Sequence, residues 1–142
     1  MAQNFDNHTR LVAAWHFVAA PILLLNLGVS IHNVVKDQSF GNIVLLLLAI
    51  ALLIVWALSR RFALTVQDRV IRLEMRLRLA ELLPAEMQPR IREFTVGQLV
   101  SLRFASDEEL PALARKVLDE KINDRKAIKK MIKNWQPDEL RA

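Results

Sequence analysis

Two long apolar segments dominate the first part of the chain. Residues 11–35 interrupt their apolar run only with neutral polar residues and two histidines, and residues 43–58 carry no charged or amide side chain. A helix needs about 20 mostly apolar residues to cross a bilayer core of roughly 30 Å. The pattern therefore predicts two transmembrane helices, at about 11–35 and 42–59. A cleaved signal peptide is the alternative for the first, although its apolar stretch is longer than the about 7–15 residues typical of such peptides.

The second apolar segment continues into a charged one without a helix breaker. Neither Gly nor Pro occurs from Asn42 to Leu83, so a single helix is predicted to leave the membrane and continue beyond it. Its soluble part carries two apolar lines, the first at Phe62, Val66, Val70, Leu73, Leu77 and Ala80, and the second at Leu64, Ile71, Met75, Leu79 and Leu82. Together they make a face wider than a coiled-coil seam, which needs a substantial partner.

Shorter amphipathic helices downstream are predicted to supply that partner. The two prolines in Pro84–Pro89 end the long helix. Thr95 with Gln98, and Ser106 with Glu109, have the spacing of a capping box at a helix start. Each box precedes an apolar pattern of helical period, so a short helix is expected after each.

The last predicted helix starts at a cap formed by Asn123 or Asp124. The soluble helices are placed at about 60–83, 95–104, 107–121 and 124–135. The expected fold class is all-α: a transmembrane helical hairpin in residues 1–59, with the second helix extended into a small cytoplasmic helical bundle in residues 60–142.

Charge differs between these two regions. Residues 1–59 contain as many acidic as basic side chains, so the whole net charge of +5 belongs to residues 60–142. The positive-inside rule therefore predicts a cytoplasmic bundle, both termini in the cytoplasm and an outer turn at residues 36–41.

Four residues are candidates for anchors at the inner membrane interface. Trp15 and Trp56 fall at the same end of the predicted hairpin, and indole rings prefer the interface between membrane and water. Arg60 and Arg61 follow directly after the second span. The tryptophans thus agree with the orientation that the charge asymmetry predicts.

A stripe of small and polar side chains runs along the first predicted span. Ala19, Asn26, Ser30 and Asn33 fall on one side of a helix that turns 100° per residue. Small residues let helices approach closely, and an amide in lipid must find a hydrogen-bond partner. These four residues are predicted to form a helix–helix interface, with the lining of a translocation path as the alternative. Pro21 is expected to bend the helix.

His16 and His32 invite a haem or metal hypothesis, because paired histidines hold haem in membrane cytochromes. Sixteen residues of helix would separate them by about 24 Å, so they cannot share a site within one chain. A haem held between two copies is the remaining alternative. The chain has no cysteine, which excludes disulfides and thiolate metal sites. No cofactor, metal site or catalytic residue is expected.

The last predicted helix carries a basic face opposite its apolar edge, formed by Lys126, Lys129, Lys130 and Lys133. Beside a membrane, each basic residue near the surface is attracted to anionic lipid by about 1 kcal/mol. The face is therefore a candidate for anionic-lipid contact, and a solvated surface is the equal alternative.

The arginines of the long helix are interpreted as a solvated face. Asp68 with Arg72 and Glu74 with Arg78 have the acid-first i,i+4 spacing of helix-stabilising ion pairs, and no nucleic-acid partner is expected. The sequence also lacks a phosphate-binding glycine loop, a nucleophile elbow and a dinucleotide fingerprint. We therefore predict that the chain is not an enzyme.

Three long motifs resemble one family. They are "FALTVQDRVIRLEMRLR", "LRFASDEELPALARK" and "IKKMIKNWQPDELR", preceded near the start of the chain by "NHTR". In this order they resemble a family of small bacterial two-span integral membrane proteins, which is catalogued as a domain of unknown function. The resemblance implies a multi-pass protein of the bacterial cytoplasmic (inner) membrane, and it implies no activity, cofactor or catalytic residue.

Two classes of function are compatible with these patterns. The first is a membrane-anchored scaffold or accessory subunit, whose cytoplasmic helical domain binds a partner or itself. The second is a subunit of an oligomeric transporter or channel, which would need a polar lining contributed by several copies. The expected partners are the lipid bilayer and either further copies of the chain or another membrane protein.

Overall fold

The computed structural model describes Phe5 and residues 11–138. These residues form helices and connecting turns, with one isolated backbone bridge between Ala105 and Trp135, and the all-α class is therefore confirmed for them. Contacts within the chain define two compact units, Arg10–Ala63 and Leu64–Ala142 together with Met1–Thr9.

The first helix of the unit Arg10–Ala63 changes its type at a proline. In a regular α-helix the ring of Pro21 would clash with the carbonyl of Phe17, and Pro21 has no N–H to donate. The chain accommodates the proline with a wider π-helical turn, Ala14–Ala19, directly before α1 (Ala20–Lys36). The distortion expected at Pro21 is thus located in the preceding turn.

A tight turn separates α1 from α2, which runs from Phe40 to Leu82. The side-chain amide of Asn42 donates to the carbonyl of Asp37 at 2.9 Å and to its carboxylate at 3.2 Å. The backbone N–H of Ile43 donates to the carbonyl of Ser39, which completes the first turn of α2. α2 contains 43 residues without interruption, as the absence of Gly and Pro predicts.

Within this unit most large apolar side chains remain exposed. The less exposed positions of α2 include Asn42, Leu46, Ala49, Leu53, Trp56 and Arg60, at spacings of four and three residues. This spacing keeps one face of α2 towards the first helix. In each of the two apolar helices only 6% of the most apolar stretch is buried.

In the unit from Leu64 onwards, four short helical segments follow α2. They are a 3₁₀ segment (Ala85–Glu93), α3 (Val96–Leu102), α4 (Leu110–Asp119) and α5 (Arg125–Lys130). The predicted capping box of α3 is confirmed, since the Thr95 hydroxyl accepts from the N–H of Gln98 and the Gln98 side chain accepts from the N–H of Thr95. The predicted cap at Asp124 is also confirmed, because its carboxylate accepts from two backbone N–H groups of α5.

One hydrophobic core joins the short helices to one side of α2. Its α2 members are Ile71, Met75, Leu79 and Leu83, and its other members include Met87, Leu99, Leu102, Leu110, Ala114, Val117 and Ile128. Three residues of the second apolar line therefore belong to the core and Leu82 packs against it, whereas Leu64 is exposed. The first line is exposed at all six of its positions, contrary to the prediction that the downstream helices cover one wide apolar face.

Two further predictions in this unit are wrong. Ser106 does not cap α4, whose N-cap is Glu109. The Glu109 carboxylate instead accepts from the N–H groups of Lys133 and Asn134, both at 3.1 Å. The last helix ends at Lys130 rather than near Trp135, because the following residues bond to the α3–α4 connection.

Candidate interaction surfaces

A cluster of aromatic and basic side chains joins the two helices of the unit Arg10–Ala63. The Trp15 and Trp56 rings stack with centroids 4.0 Å apart, and the Trp56 indole N–H donates to the Trp15 carbonyl at 3.4 Å. The Arg60 guanidinium lies 5.3 Å from the centroid of Trp15, within the range of a cation–π interaction. The structure thus brings together three of the four predicted anchors, while Arg61 is exposed.

Three of the four residues predicted at a helix–helix interface are buried or half-buried within the unit Arg10–Ala63. Ser30 is buried, and Ala19 and Asn33 are half-buried, as expected of an interface within the unit. Asn26 is exposed within this unit, so it does not take part in the packing of the two helices here, and its place in a helix–helix interface stays a prediction. The half-buried Leu23 and Leu27 occupy the intervening turns, because the face that packs follows the 3–4 spacing of leucine rather than the polar residues.

One arginine connects α2 to two other parts of the bundle. Arg78 donates to the Asp107 carboxylate at 2.7 Å, to the carbonyls of Arg103 and Ala105 at 3.2 and 2.6 Å, and to the Gln136 side chain at 3.1 Å. The i,i+4 pair predicted between Glu74 and Arg78 is therefore replaced by bonds to residues at least 25 positions away. No local sequence signal indicates these partners.

The 3₁₀ segment is fixed to α4 by two ion pairs. Arg90 donates to Asp119 at 2.7 Å, and Arg115 pairs with Glu86. The hydrogen bond to Asp119, with the nearby negative charges, raises the pKa of the Arg90 guanidinium above its usual value. The sequence predicted only the end of the long helix here, whereas Met87 is buried in the core.

The four lysines of the predicted basic face have different surroundings. Lys129 lies with its ammonium 5.4 Å from the Phe104 ring, which itself stacks on Trp135 at 4.4 Å. Lys130 lies 5.7 Å from the Phe5 ring. Lys126 and Lys133 are exposed. The four lysines therefore do not form one uniform surface, since Lys129 is half-buried against an aromatic ring.

The exposed side of α2 in the unit from Leu64 onwards carries a continuous apolar surface. We call it the outer stripe, and it consists of Val66, Val70, Leu73, Leu77 and Ala80. Three of these side chains are 61% exposed although they are large and apolar. Five adjoining apolar positions on one helix are a candidate docking surface, since contiguous exposed apolar patches often mark interaction sites.

The histidine and carboxylate side chains that could bind a metal ion do not cluster in the part of the chain that the structure describes. Among those residues no group of three or more His, Asp or Glu side chains could hold a metal ion. His16 packs against Trp15 with ring centroids 4.6 Å apart, and its Nδ1 lies 2.9 Å from the Val12 carbonyl.

The described residues therefore belong to an all-helical protein. Two of its helices, Ala14–Lys36 and Phe40–Leu82, are long and apolar enough to cross a membrane. Residues 1–142 match the family of unknown function DUF6526, and the chain belongs to that family. The resemblance to a domain of unknown function is thereby confirmed, while its bacterial and two-span membrane aspects stay predictions. No curated protein and no solved structure matches the chain.

Proposed function

We propose that the chain is a two-span protein of the bacterial cytoplasmic membrane, and that it acts as an anchored scaffold or accessory subunit. The observation that carries the proposal is the exposure of the apolar helices. A core helix of a water-soluble protein would bury its apolar side chains, whereas only 6% of each apolar stretch is buried here. A lipid environment accounts for that exposure because it removes the cost of contact with water.

The proposed orientation places residues 37–39 outside and the bundle in the cytoplasm. Two observations support it. The excess of positive charge belongs to residues 60–142, and such an excess marks the cytoplasmic side. The stacked Trp15 and Trp56 rings lie at the opposite end of the hairpin from this turn, together with Arg60, which is the arrangement typical of an interfacial anchor.

A docking role is favoured over a channel by the distribution of polar side chains. The membrane part of α2 has no charged or amide side chain between Ile43 and Leu58, so it offers no lining for water or ions. The bundle, in contrast, has its own core and presents the exposed outer stripe. A folded domain with an uncovered apolar surface is suited to binding a protein.

Cysteine labelling tests the proposal in a chain that has no native cysteine. In intact spheroplasts, a membrane-impermeant maleimide should modify Gln38→Cys directly and Glu108→Cys only after permeabilisation. Both positions are exposed, so access to the reagent depends on the membrane alone. Labelling of both without permeabilisation, or recovery of the chain in the soluble fraction, would contradict the proposal.

A further inference from the structure

The outer stripe has the heptad spacing of a two-stranded coiled coil. Val66, Leu73 and Ala80 occupy d positions, and Val70 and Leu77 occupy a positions, with alternate steps of four and three residues. The core residues Ile71, Met75 and Leu79 fall at b, f and c, on the opposite side of α2. α2 therefore has two separate apolar sides in this unit, and the bundle uses only one.

The charges beside the outer stripe are complementary to those of a second, parallel copy. Arg69 and Arg76 occupy g positions, while Glu74 and Glu81 occupy e positions. In a parallel coiled coil a g residue faces the e residue five positions further along the partner, so Arg69 would face Glu74 and Arg76 would face Glu81. An antiparallel pair would instead place arginine against arginine and glutamate against glutamate.

These four charged side chains have no side-chain partner in the part of the chain that the structure describes. Among the described residues, none of them forms an ion pair or a hydrogen bond with another side chain, although Arg78 and Arg90 nearby are fully engaged. The Nε of Arg76 is buried and has no hydrogen-bond partner in the described part of the chain. A glutamate from a second copy would give the terminal nitrogens of this guanidinium a charge-assisted hydrogen bond.

We propose that a second copy of this chain packs in parallel along the outer stripe and forms a coiled coil through α2. The helix is already held by the bundle core on its other side, so pairing does not have to order it. The inference deepens the proposed function and rests on it in one respect, since copies anchored in the same membrane share one orientation and are concentrated in two dimensions.

Cross-linking of single-cysteine variants of the full chain, reconstituted in phospholipid vesicles, tests the proposal. Leu73→Cys should form a disulfide-linked species of twice the 16.3 kDa chain mass under mild oxidation. Arg72→Cys is the matched control, because it is also exposed but projects about 100° away around the helix. Equal cross-linking at both positions, or none at Leu73→Cys, would overturn the proposal.

Cysteine cross-linking also tests whether the two α2 helices are parallel and whether the partner is a second copy of the chain. Val66→Cys and Leu77→Cys should each cross-link to an identical copy, whereas a product formed only between the two different variants would show antiparallel pairing and overturn the parallel arrangement. In native membranes Leu73→Cys should give the same doubled mass. A product of another mass would show that a different protein covers the stripe.

Charge reversal provides a third and independent test. Glu74→Arg combined with Glu81→Arg should abolish cross-linking through Leu73→Cys, because every facing pair becomes arginine against arginine. Adding Arg69→Glu and Arg76→Glu to the same chain should restore the cross-link. If the yield of the cross-linked species is the same in all these variants, the assigned register is overturned. If pairing fails while Gln38→Cys and Glu108→Cys label as expected, the membrane scaffold stands and only the self-association is lost.

Discussion

The hairpin and the bundle use apolar residues in opposite ways. In Arg10–Ala63 the large apolar side chains are mostly exposed, and among the described residues only Ser30 and Ala49 are buried. In the unit from Leu64 onwards, leucine, methionine and valine side chains enclose a core in which several are completely buried. Both regions are rich in apolar residues, so apolar content alone does not distinguish them. They differ in how much of the apolar surface is buried within the chain.

The largest expected difference in the free energy of unfolding comes from making the same Leu→Ala substitution in each region. Leu79→Ala removes a completely buried side chain of the bundle and should lower the free energy of unfolding by about 2–5 kcal/mol. Leu47→Ala in the hairpin removes a side chain that is 61% exposed and should change it by less than about 0.5 kcal/mol. Thermal denaturation in detergent, followed by circular dichroism and proteolysis, would measure both. Equal losses would mean that the hairpin has a tightly packed core of its own.

The bundle should also depend strongly on one arginine. Arg78→Ala should cost about 2–3 kcal/mol, because the carboxylate of Asp107 and two carbonyl groups lose a charged donor. Arg72→Ala is the control, since this exposed arginine lies on the same helix outside the core and should change stability by less than about 0.5 kcal/mol. Chemical denaturation of the purified chain gives both values. Similar values for the two variants would show that Arg78 is not a structural connection.

Two substitutions to leucine on α1 test which side of this helix packs in the hairpin. Ser30→Leu adds volume at a position that is 5% exposed and should destabilise the chain by about 1–3 kcal/mol through overpacking. Asn26→Leu places the same side chain at an exposed position and should leave stability within about 0.5 kcal/mol of the parent. The two are compared by thermal unfolding in detergent. A large loss only for Asn26→Leu would return Asn26 to an interface.

The smallest effect concerns helix caps, which the bundle uses and α1 does not. Thr95→Ala should cost about 1 kcal/mol, because the N–H of Gln98 loses its acceptor. Ser106→Ala should cost almost nothing, since Ser106 does not cap α4. The difference can be measured by denaturant titration of the two variants in parallel. A larger loss for Ser106→Ala would mean that its hydroxyl has a role in α4 that the structure does not show.

Features governed by nearby residues were predictable from the sequence. The continuity of α2 follows from the absence of Gly and Pro, and the caps at Thr95 and Asp124 follow from side chains that bond within three residues. Each depends on local propensity and hydrogen bonding, which the sequence displays directly.

Features governed by distant residues were not predictable. Ser106 and Glu109 have the spacing of a capping box, but the carboxylate has a competing pair of N–H donors about 24 positions away. The two apolar lines of α2 have similar composition, and only the packing of the short helices decides that Leu79 is buried while Leu77 is exposed. The side of α1 that packs within the unit depends in the same way on the Trp15–Trp56 stack, whose two residues lie 41 positions apart in the sequence.

The hydrogen bond from Arg78 to Gln136 has a consequence for the order of events during synthesis. The two residues are separated by 58 positions, so at translation rates of roughly 5–20 residues per second about 3–12 seconds pass between them. During that interval the short helices that pack on α2 are still being made, whereas residues 11–58, which contain both apolar segments, have already been synthesised. In the proposed membrane location, the two apolar segments are therefore available for insertion before the ribosome delivers the segment that closes the bundle.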